Sequence, residues 1–175
     1  MCSHFICRSH KPRGGWFVAK KVLLVCLGNI CRSPLAEVVM RACAIEQQVD
    51  SKLFFSSAGT GDWHIGRGAD QRSAAIAKQH GLDLSSHRAQ QVHGNNWSNW
   101  HWFVAMDHQN YTDLLRMGVP RSRLLFMRQF EGNGGEGVLD VPDPYYGGAS
   151  GFEDVYQMLQ DNAEKVIAHL LAQDE

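Results

Sequence analysis

The chain has no long hydrophobic run and almost no net charge. None of its apolar stretches approaches the roughly 20 residues that a membrane-spanning helix needs. Its first residues also lack the apolar core and small-residue cleavage site of a signal peptide. The 17 basic and 18 acidic residues leave a formal net charge of −1, so no overall field attracts nucleic acid or a membrane surface. We therefore expect a globular protein with neither kind of partner, in which any anionic ligand is bound by a local arrangement of groups.

Cysteine is absent from the last three quarters of the sequence. All five cysteines lie at or before Cys43, whereas the disulfides of a small secreted protein connect distant parts of the chain. Their odd number also leaves at least one thiol without a partner inside the chain. This usage predicts a protein of the reducing cytoplasm.

The 175 residues suffice for one domain with its own core. Residues 1–19 show no periodicity and predict a flexible N-terminal extension, while residues 20–175 predict a single domain. Short apolar runs typical of buried strands alternate there with segments of helical periodicity, and this alternation indicates an α/β fold with a parallel sheet covered on both faces. The predicted strands lie at 22–25, 53–56, 102–106 and 123–127, and the predicted helices at 33–45, 70–80, 111–117 and 152–171.

The loop after the first predicted strand places an arginine six positions after a cysteine. It reads CLGNICRS from Cys26 to Ser33, and Ser33 and Pro34 suit the cap and first turn of the following helix. Backbone N–H groups in such a loop converge on a phosphate-sized anion, and Arg32 adds a planar fork that matches two phosphate oxygens. Because the same field stabilises a thiolate, we predict that Cys26 is an anionic nucleophile.

The residues inside this loop fit the same interpretation. Gly28 and Asn29 tolerate the left-handed backbone that turns successive N–H groups towards one point, and the hydroxyl of Ser33 is placed to donate a hydrogen bond to the sulfur of Cys26. The predicted phosphate-binding residues are Leu27, Gly28, Asn29, Ile30, Cys31 and Ser33.

A second copy of the same spacing occurs near the N-terminus. Residues 2–9 read CSHFICRS, but no predicted strand precedes them, no glycine lies among them and no helix with a proline start follows. Spacing alone does not build an anion-binding loop, so we choose Cys26 over Cys2 as the nucleophile.

The segment VPDPYYG, residues 141–147, supplies a candidate general acid. Cleavage of a phosphate ester leaves an oxygen that needs a proton, and Asp143 is held between two prolines. Tyr145 and Tyr146 are suited to wall a cleft for an aromatic leaving group. An ordinary Pro-Asp-Pro turn is the other interpretation of this segment, and the segment taken alone leaves both open.

Taken together, VLLVCLGNICRSPLAE (residues 22–37) and DPYYG (residues 143–147) resemble the low-molecular-weight protein tyrosine phosphatases. The resemblance covers about residues 20–172. It implies a four-stranded parallel sheet with helices on both faces and the phosphate-binding loop after the first strand. It also implies a cytoplasmic enzyme, a monomer or weak homodimer, that needs no metal or cofactor and acts on a tyrosine-phosphorylated protein or a small aryl phosphate.

The resemblance implies a reaction in two steps. Cys26 attacks phosphorus while Asp143 protonates the leaving group, and Asp143 then deprotonates the water that cleaves the phosphocysteine. Arg32 and the loop amides stabilise the phosphoryl charge in both steps.

Other positions receive supporting roles from the resemblance. Asn29 is expected to be held by Ser57 and His80, and Asp107 to brace the phosphate loop. A histidine at a helix end is the ordinary alternative for His80. The aromatic residues expected to line the substrate cleft are Trp63, Tyr145 and Tyr146.

Cys31 lies close enough to Cys26 along the loop to pair with it. A reversible disulfide between them would shelter the nucleophile from over-oxidation. A small buried loop residue is an equally good account of Cys31, and the sequence leaves both open.

Three other functions share parts of this pattern. Thiol-dependent arsenate reductases use a similar loop with two further cysteines downstream, but no cysteine follows Cys43. A module that only binds phosphate would be expected to lose Cys26 or Asp143, and both are present. A thiol–disulfide oxidoreductase uses C-x-x-C, whereas Cys26 and Cys31 are separated by four residues. The phosphatase is the favoured interpretation.

Overall fold

The structure, a computed structural model, describes residues 18–93, 97–132, 139–146, 148 and 150–173. For Trp97 and Tyr146 the description is limited to the backbone. The predicted N-terminal extension lies outside these ranges except for Val18 and Ala19.

Four parallel strands form the centre of the fold. They are β1 (Lys20–Cys26), β2 (Leu53–Gly59), β3 (Trp102–Ala105) and β4 (Leu124–Phe126), in the order β2-β1-β3-β4. Strand β1 pairs with β2 from Lys20 opposite Leu53 to Cys26 opposite Gly59, and β3 pairs on its other side. The residues of β1 from Val22 to Cys26 are all buried, as a continuous apolar run predicts for a strand covered on both faces. The predicted parallel sheet is confirmed.

Helices cover both faces of the sheet. They are α1 (Arg32–Glu46), α2 (Gln71–Gln79), α3 (His108–Arg116) and α4 (Gly151–Ala172). Alternate residues of β1 point to opposite faces, so Leu24 packs in the cluster that contains Leu35 of α1 and Leu170 of α4, whereas Val25 packs with Leu114 of α3. Fully burying such a side chain stabilises the fold by about 1.5–3 kcal/mol. Within the described residues, no helix has the length and apolar character needed to span a membrane.

The ends of the helices agree with the sequence signals at α2 and differ at α1. Asp70 caps α2 by accepting a hydrogen bond from Arg72 N at 2.9 Å, and Gly81 follows the helix with φ +74°, as predicted for a C-terminal glycine. At α1 the cap position is Cys31 and carries no side-chain capping hydrogen bond. The prediction that Ser33 caps this helix is therefore wrong, because its hydroxyl turns towards the sulfur of the loop.

Candidate active site

The loop of residues 27–31 connects β1 to α1 at the carboxyl edge of the sheet, where ligands bind in folds of this kind. Asn29 adopts the predicted left-handed backbone with φ 54°, and its N–H donates to Cys26 Sγ at 3.2 Å. Gly28 is outside the left-handed region, contrary to the expectation. A Cβ there would lie 2.9 Å from His64 Cδ2, so any larger residue would require the His64 ring to shift.

The sulfur of Cys26 is buried and contacts a hydroxyl group, as predicted. Ser33 Oγ lies 3.0 Å from Cys26 Sγ and 3.3 Å from the carbonyl oxygen of Ala58. Asn29 Nδ2 donates to the same hydroxyl at 2.9 Å. Because Ser33 already accepts from Asn29 and has one proton, it is set to donate either to the sulfur or to the carbonyl. The arrangement supplies a donor that can stabilise a thiolate.

Asn29 is held by the segment that follows α2. Gln90 N donates to Asn29 Oδ1 at 2.9 Å, and His87 Nε2 lies 2.8 Å from the carbonyl oxygen of Asn29. This segment runs beside the end of β2, where Gly59 N donates to the carbonyl oxygen of Gln90 at 2.8 Å. Sequence reasoning missed both His87 and Gln90, because no motif surrounds them and a main-chain donor leaves no trace in a sequence.

The expectation that Ser57 and His80 hold Asn29 is wrong. Ser57 faces α1, and its Oγ donates to Glu37 Oε2 at 2.6 Å. His80 lies at the C-terminal end of α2 and points towards α4, where its Nε2 is 2.9 Å from Glu153 Oε1. The helix-end interpretation of His80 fits this position.

Arg32 is buried at the floor of the site between two carboxylates. Its Nη1 donates to Asp107 Oδ2 at 2.5 Å and to the carbonyl oxygen of Val141 at 3.1 Å, while Nη2 donates to Asp143 Oδ2 at 3.0 Å. Burial by itself lowers the pKa of Arg32, but the neighbouring Cys26, Asp143 and Asp107 outweigh it and raise that pKa above its ordinary value. Arg32 is therefore a fixed cation, braced by Asp107 from below.

The cleft brings the predicted nucleophile, arginine and acid together. It has a volume of about 260 Å³, and Cys26, Arg32 and Asp143 line it. Asp143 is 33% exposed, and its Oδ1 accepts a hydrogen bond from Tyr145 N at 3.1 Å. The loop residues in the lining are Leu27, Gly28, Ile30 and Cys31.

Aromatic residues form the rim of the same cleft. Trp63 and Tyr145 both line it, as predicted, and both are exposed. The Trp63 ring folds over Gly61, where a Cβ would lie 2.2 Å from the ring. His64, which sequence reasoning missed, joins the lining, while the side chain of Tyr146 is outside the described residues.

Cys31 is a buried free thiol in the same loop as the predicted nucleophile. Burial raises the pKa of Cys31, and the negative charges of Asp70, Cys26 and Asp143 raise it further. Cys31 is therefore a neutral thiol at physiological pH. The hydrogen bonds of the loop go instead to the sulfur of Cys26.

Comparison with known proteins agrees with this geometry. The sequence model of one family, described as low molecular weight phosphotyrosine protein phosphatase, matches residues 21–175. A low molecular weight protein-tyrosine-phosphatase of Streptomyces coelicolor is 37% identical over 158 residues, which cover 89% of this chain and 96% of the relative. The low molecular weight protein-tyrosine phosphatase A of Mycobacterium tuberculosis is 41% identical over 140 residues, covering 79% of this chain and 84% of the relative.

A solved structure shares the fold over its whole length. The protein tyrosine phosphatase of Entamoeba histolytica, with Hepes in its active site, superposes with a TM-score of 0.81 at 36% identity and covers 90% of this chain and 100% of its own. The family match spans nearly the whole described part of the chain, and the phosphate loop and aspartate segment that carried the resemblance meet in one cleft. The chain therefore belongs to the low molecular weight phosphotyrosine protein phosphatase family.

Proposed function

We propose that the protein hydrolyses aryl phosphate monoesters, and phosphotyrosine in proteins above all, through a phosphocysteine intermediate on Cys26. The observation that carries this proposal is the meeting of Cys26, Arg32 and Asp143 in one cleft with an aromatic rim. The cleft therefore offers a nucleophile, a fixed cation and a proton donor to one bound phosphate.

In the first step the thiolate of Cys26 attacks phosphorus and the bond from phosphorus to the leaving oxygen breaks. The phosphate oxygens take up the Nη2 donor of Arg32 that Asp143 holds in the free protein. Asp143, in its protonated form, donates its proton to the leaving phenolate oxygen. The loop amides and Arg32 stabilise the phosphoryl charge throughout.

In the second step a water molecule attacks the phosphocysteine. Asp143 accepts a proton from the water, and the sulfur of Cys26 departs as a thiolate. Ser33 Oγ, at 3.0 Å from this sulfur, stabilises the departing charge. Inorganic phosphate leaves, and Asp143 is protonated again for the next cycle.

The rim of the cleft supports an aryl rather than an alkyl substrate. Trp63 and Tyr145 both line the cleft and both are exposed, and an aromatic leaving group packs favourably against such rings. The relatives from Streptomyces coelicolor and Mycobacterium tuberculosis carry the name protein-tyrosine phosphatase. A cytoplasmic compartment, and a monomer or weak homodimer, complete the proposal.

The decisive experiment is to trap the phosphoenzyme with para-nitrophenyl phosphate and to map the phosphate by peptide mass. We expect it on Cys26, with turnover that persists in EDTA and that Cys26→Ser abolishes. Cys2→Ser, in the second copy of the spacing, is the matched control and should retain full activity. Phosphate on any other residue, or activity that EDTA removes, would contradict the mechanism.

A further inference from the structure

The first turn of α2, residues 70–73, supports the phosphate loop from outside. Asp70 N donates to the carbonyl oxygen of Ile30 at 2.8 Å. Ser73, which is fully buried, donates through Oγ to the carbonyl oxygen of Cys31 at 3.0 Å. Two consecutive carbonyl groups of the loop are therefore anchored on this turn.

From the same turn, Arg72 reaches the loop that carries the general acid. Its Nη1 donates to the carbonyl oxygen of Tyr145 at 3.3 Å, and its Cζ lies 5.3 Å from the centroid of the Tyr145 ring and 4.6 Å from that of Phe152. Asp70 fixes the guanidinium from behind, accepting from Nε and from Nη2 at 3.0 Å each. This bidentate grip sets the plane of Arg72 so that it faces both rings.

The contact of Arg72 with Tyr145 bears on Asp143. The carboxylate of Asp143 accepts hydrogen bonds from Arg32 Nη2 and from Tyr145 N. A bound phosphate competes for Arg32, and Tyr145 N then carries the orientation of the carboxyl. A group that fixes the backbone of Tyr145 therefore also fixes the orientation of the Asp143 carboxyl.

We propose that Arg72 is a positioning residue that holds residues 143–145 against the phosphate loop, so that Asp143 stays aimed at the leaving oxygen of the substrate. The inference rests on the proposed role of Asp143 as general acid. Arg72 differs from a surface arginine that only pairs with its neighbour. Its Nε and Nη2 bind Asp70, whereas its Nη1 binds the carbonyl oxygen of Tyr145 in a different segment of the chain.

The test compares leaving groups that differ in their need for a proton. We expect Arg72→Ala to lower kcat/KM for phenyl phosphate about tenfold, a fraction of the 10²–10⁴ that general acid catalysis contributes. For dinitrophenyl phosphate, whose leaving group departs without protonation, the change should stay within about twofold. Arg72→Lys keeps the charge without the planar fork, and we expect it to retain most of the defect. Full recovery with lysine would show that charge alone acts and would overturn the proposal.

The matched control is Arg116→Ala on α3. Arg116 is 71% exposed and pairs with Asp113 in its own helix at 3.3 Å, so neither substrate should respond to its loss. Thermal unfolding of the variants checks that the fold is intact. An equal loss for both substrates with Arg72→Ala, or no loss, would refute the positioning role.

The double variant Arg72→Ala/Asp143→Ala separates this inference from the proposed function. If Arg72 acts through Asp143, its removal should have no further effect once Asp143 is gone. Additive losses would overturn the positioning role while leaving Asp143 as the acid. If Asp143→Ala alone slows both leaving groups equally, the proposed function of Asp143 fails and the inference about Arg72 falls with it.

Discussion

Replacing Asp107 with asparagine would remove the negative charge beneath Arg32 while keeping the acceptor that caps α3. Asp107 Oδ2 receives Arg32 Nη1, whereas Oδ1 accepts from Asn110 N at 2.7 Å. The side chains of Arg32 and Asp107 are 4% and 19% exposed, so water screens their attraction little. Asparagine caps a helix about as well as aspartate, so the substitution keeps the cap, removes the negative charge and places an amide NH2 in place of the oxygen that accepts from Arg32.

The size of the effect follows from these contacts. A hydrogen bond to a charged group contributes about 1.5–3 kcal/mol, and Arg32 keeps its bonds to Val141 and Asp143 in the free protein. We expect Asp107→Asn to lower the free energy of unfolding by about 1.5–3 kcal/mol. Asp107→Ala, which also removes the cap, should cost about 1 kcal/mol more.

The same substitution should also lower kcat/KM. When a substrate phosphate takes the place of Asp143 at Arg32, Asp107 becomes the carboxylate that holds the guanidinium in place. We expect kcat/KM for para-nitrophenyl phosphate to fall about 10- to 100-fold, since each 1.36 kcal/mol of barrier is tenfold in rate.

Urea unfolding and steady-state kinetics measure the two effects on the same samples. Asp113→Asn is the control on the same helix, because its partner Arg116 is 71% exposed and the pair should contribute less than about 1 kcal/mol. If Asp107→Asn unfolds at the wild-type urea concentration and keeps wild-type kcat/KM, the bracing role of Asp107 is refuted.

Three further changes test other parts of the site. Ser33→Ala should slow breakdown of the phosphocysteine about tenfold, as the loss of a hydrogen bond to a charged sulfur predicts. A larger pre-steady-state burst of nitrophenol would show this, and an unchanged burst would contradict the role of Ser33. Gly61→Ala should displace the Trp63 ring, because the new Cβ would lie 2.2 Å from it, and raise KM for aryl phosphates while leaving inhibition by inorganic phosphate unchanged. His87→Ala should lower kcat/KM about tenfold, as loss of one loop hydrogen bond implies, whereas His80→Ala should leave it intact; the reverse order would contradict the contacts described above.

The parts of the site that could be predicted from the sequence are those built by neighbouring residues. The apolar run before Cys26, the Ser33-Pro34 helix start and the six-residue spacing to Arg32 all lie within one strand, loop and helix. Local dihedral and capping preferences act at that range, so the phosphate loop could be placed without tertiary information. The sequence predicts the contact of the Ser33 hydroxyl with the sulfur correctly and the helix cap wrongly, because one hydroxyl cannot make both contacts.

The supports of the loop could not be predicted, because they depend on how distant segments pack. Gln90 binds Asn29 through its main-chain N–H, 61 positions away in sequence, and any residue except proline would supply the same donor. The sequence alone predicts an exposed helix arginine at Arg72, and only the fold shows that it binds the carbonyl oxygen of Tyr145. The resemblance implied His80 as the partner of Asn29, but the path of the chain past β2 brings His87 there instead.

The position of Cys26 at the end of the central strand has a consequence for partial unfolding. Strand β1 is paired on both sides and buried on both faces, so its amide protons should exchange only through global unfolding. Asp143 lies on a partly exposed loop tied down by a few side-chain bonds, and such segments open at much lower free energy. At mild denaturant concentrations the protein should therefore lose Asp143 from the cleft before the loop of residues 27–31. Under the proposed mechanism, this form still binds phosphate esters but no longer protonates their leaving groups.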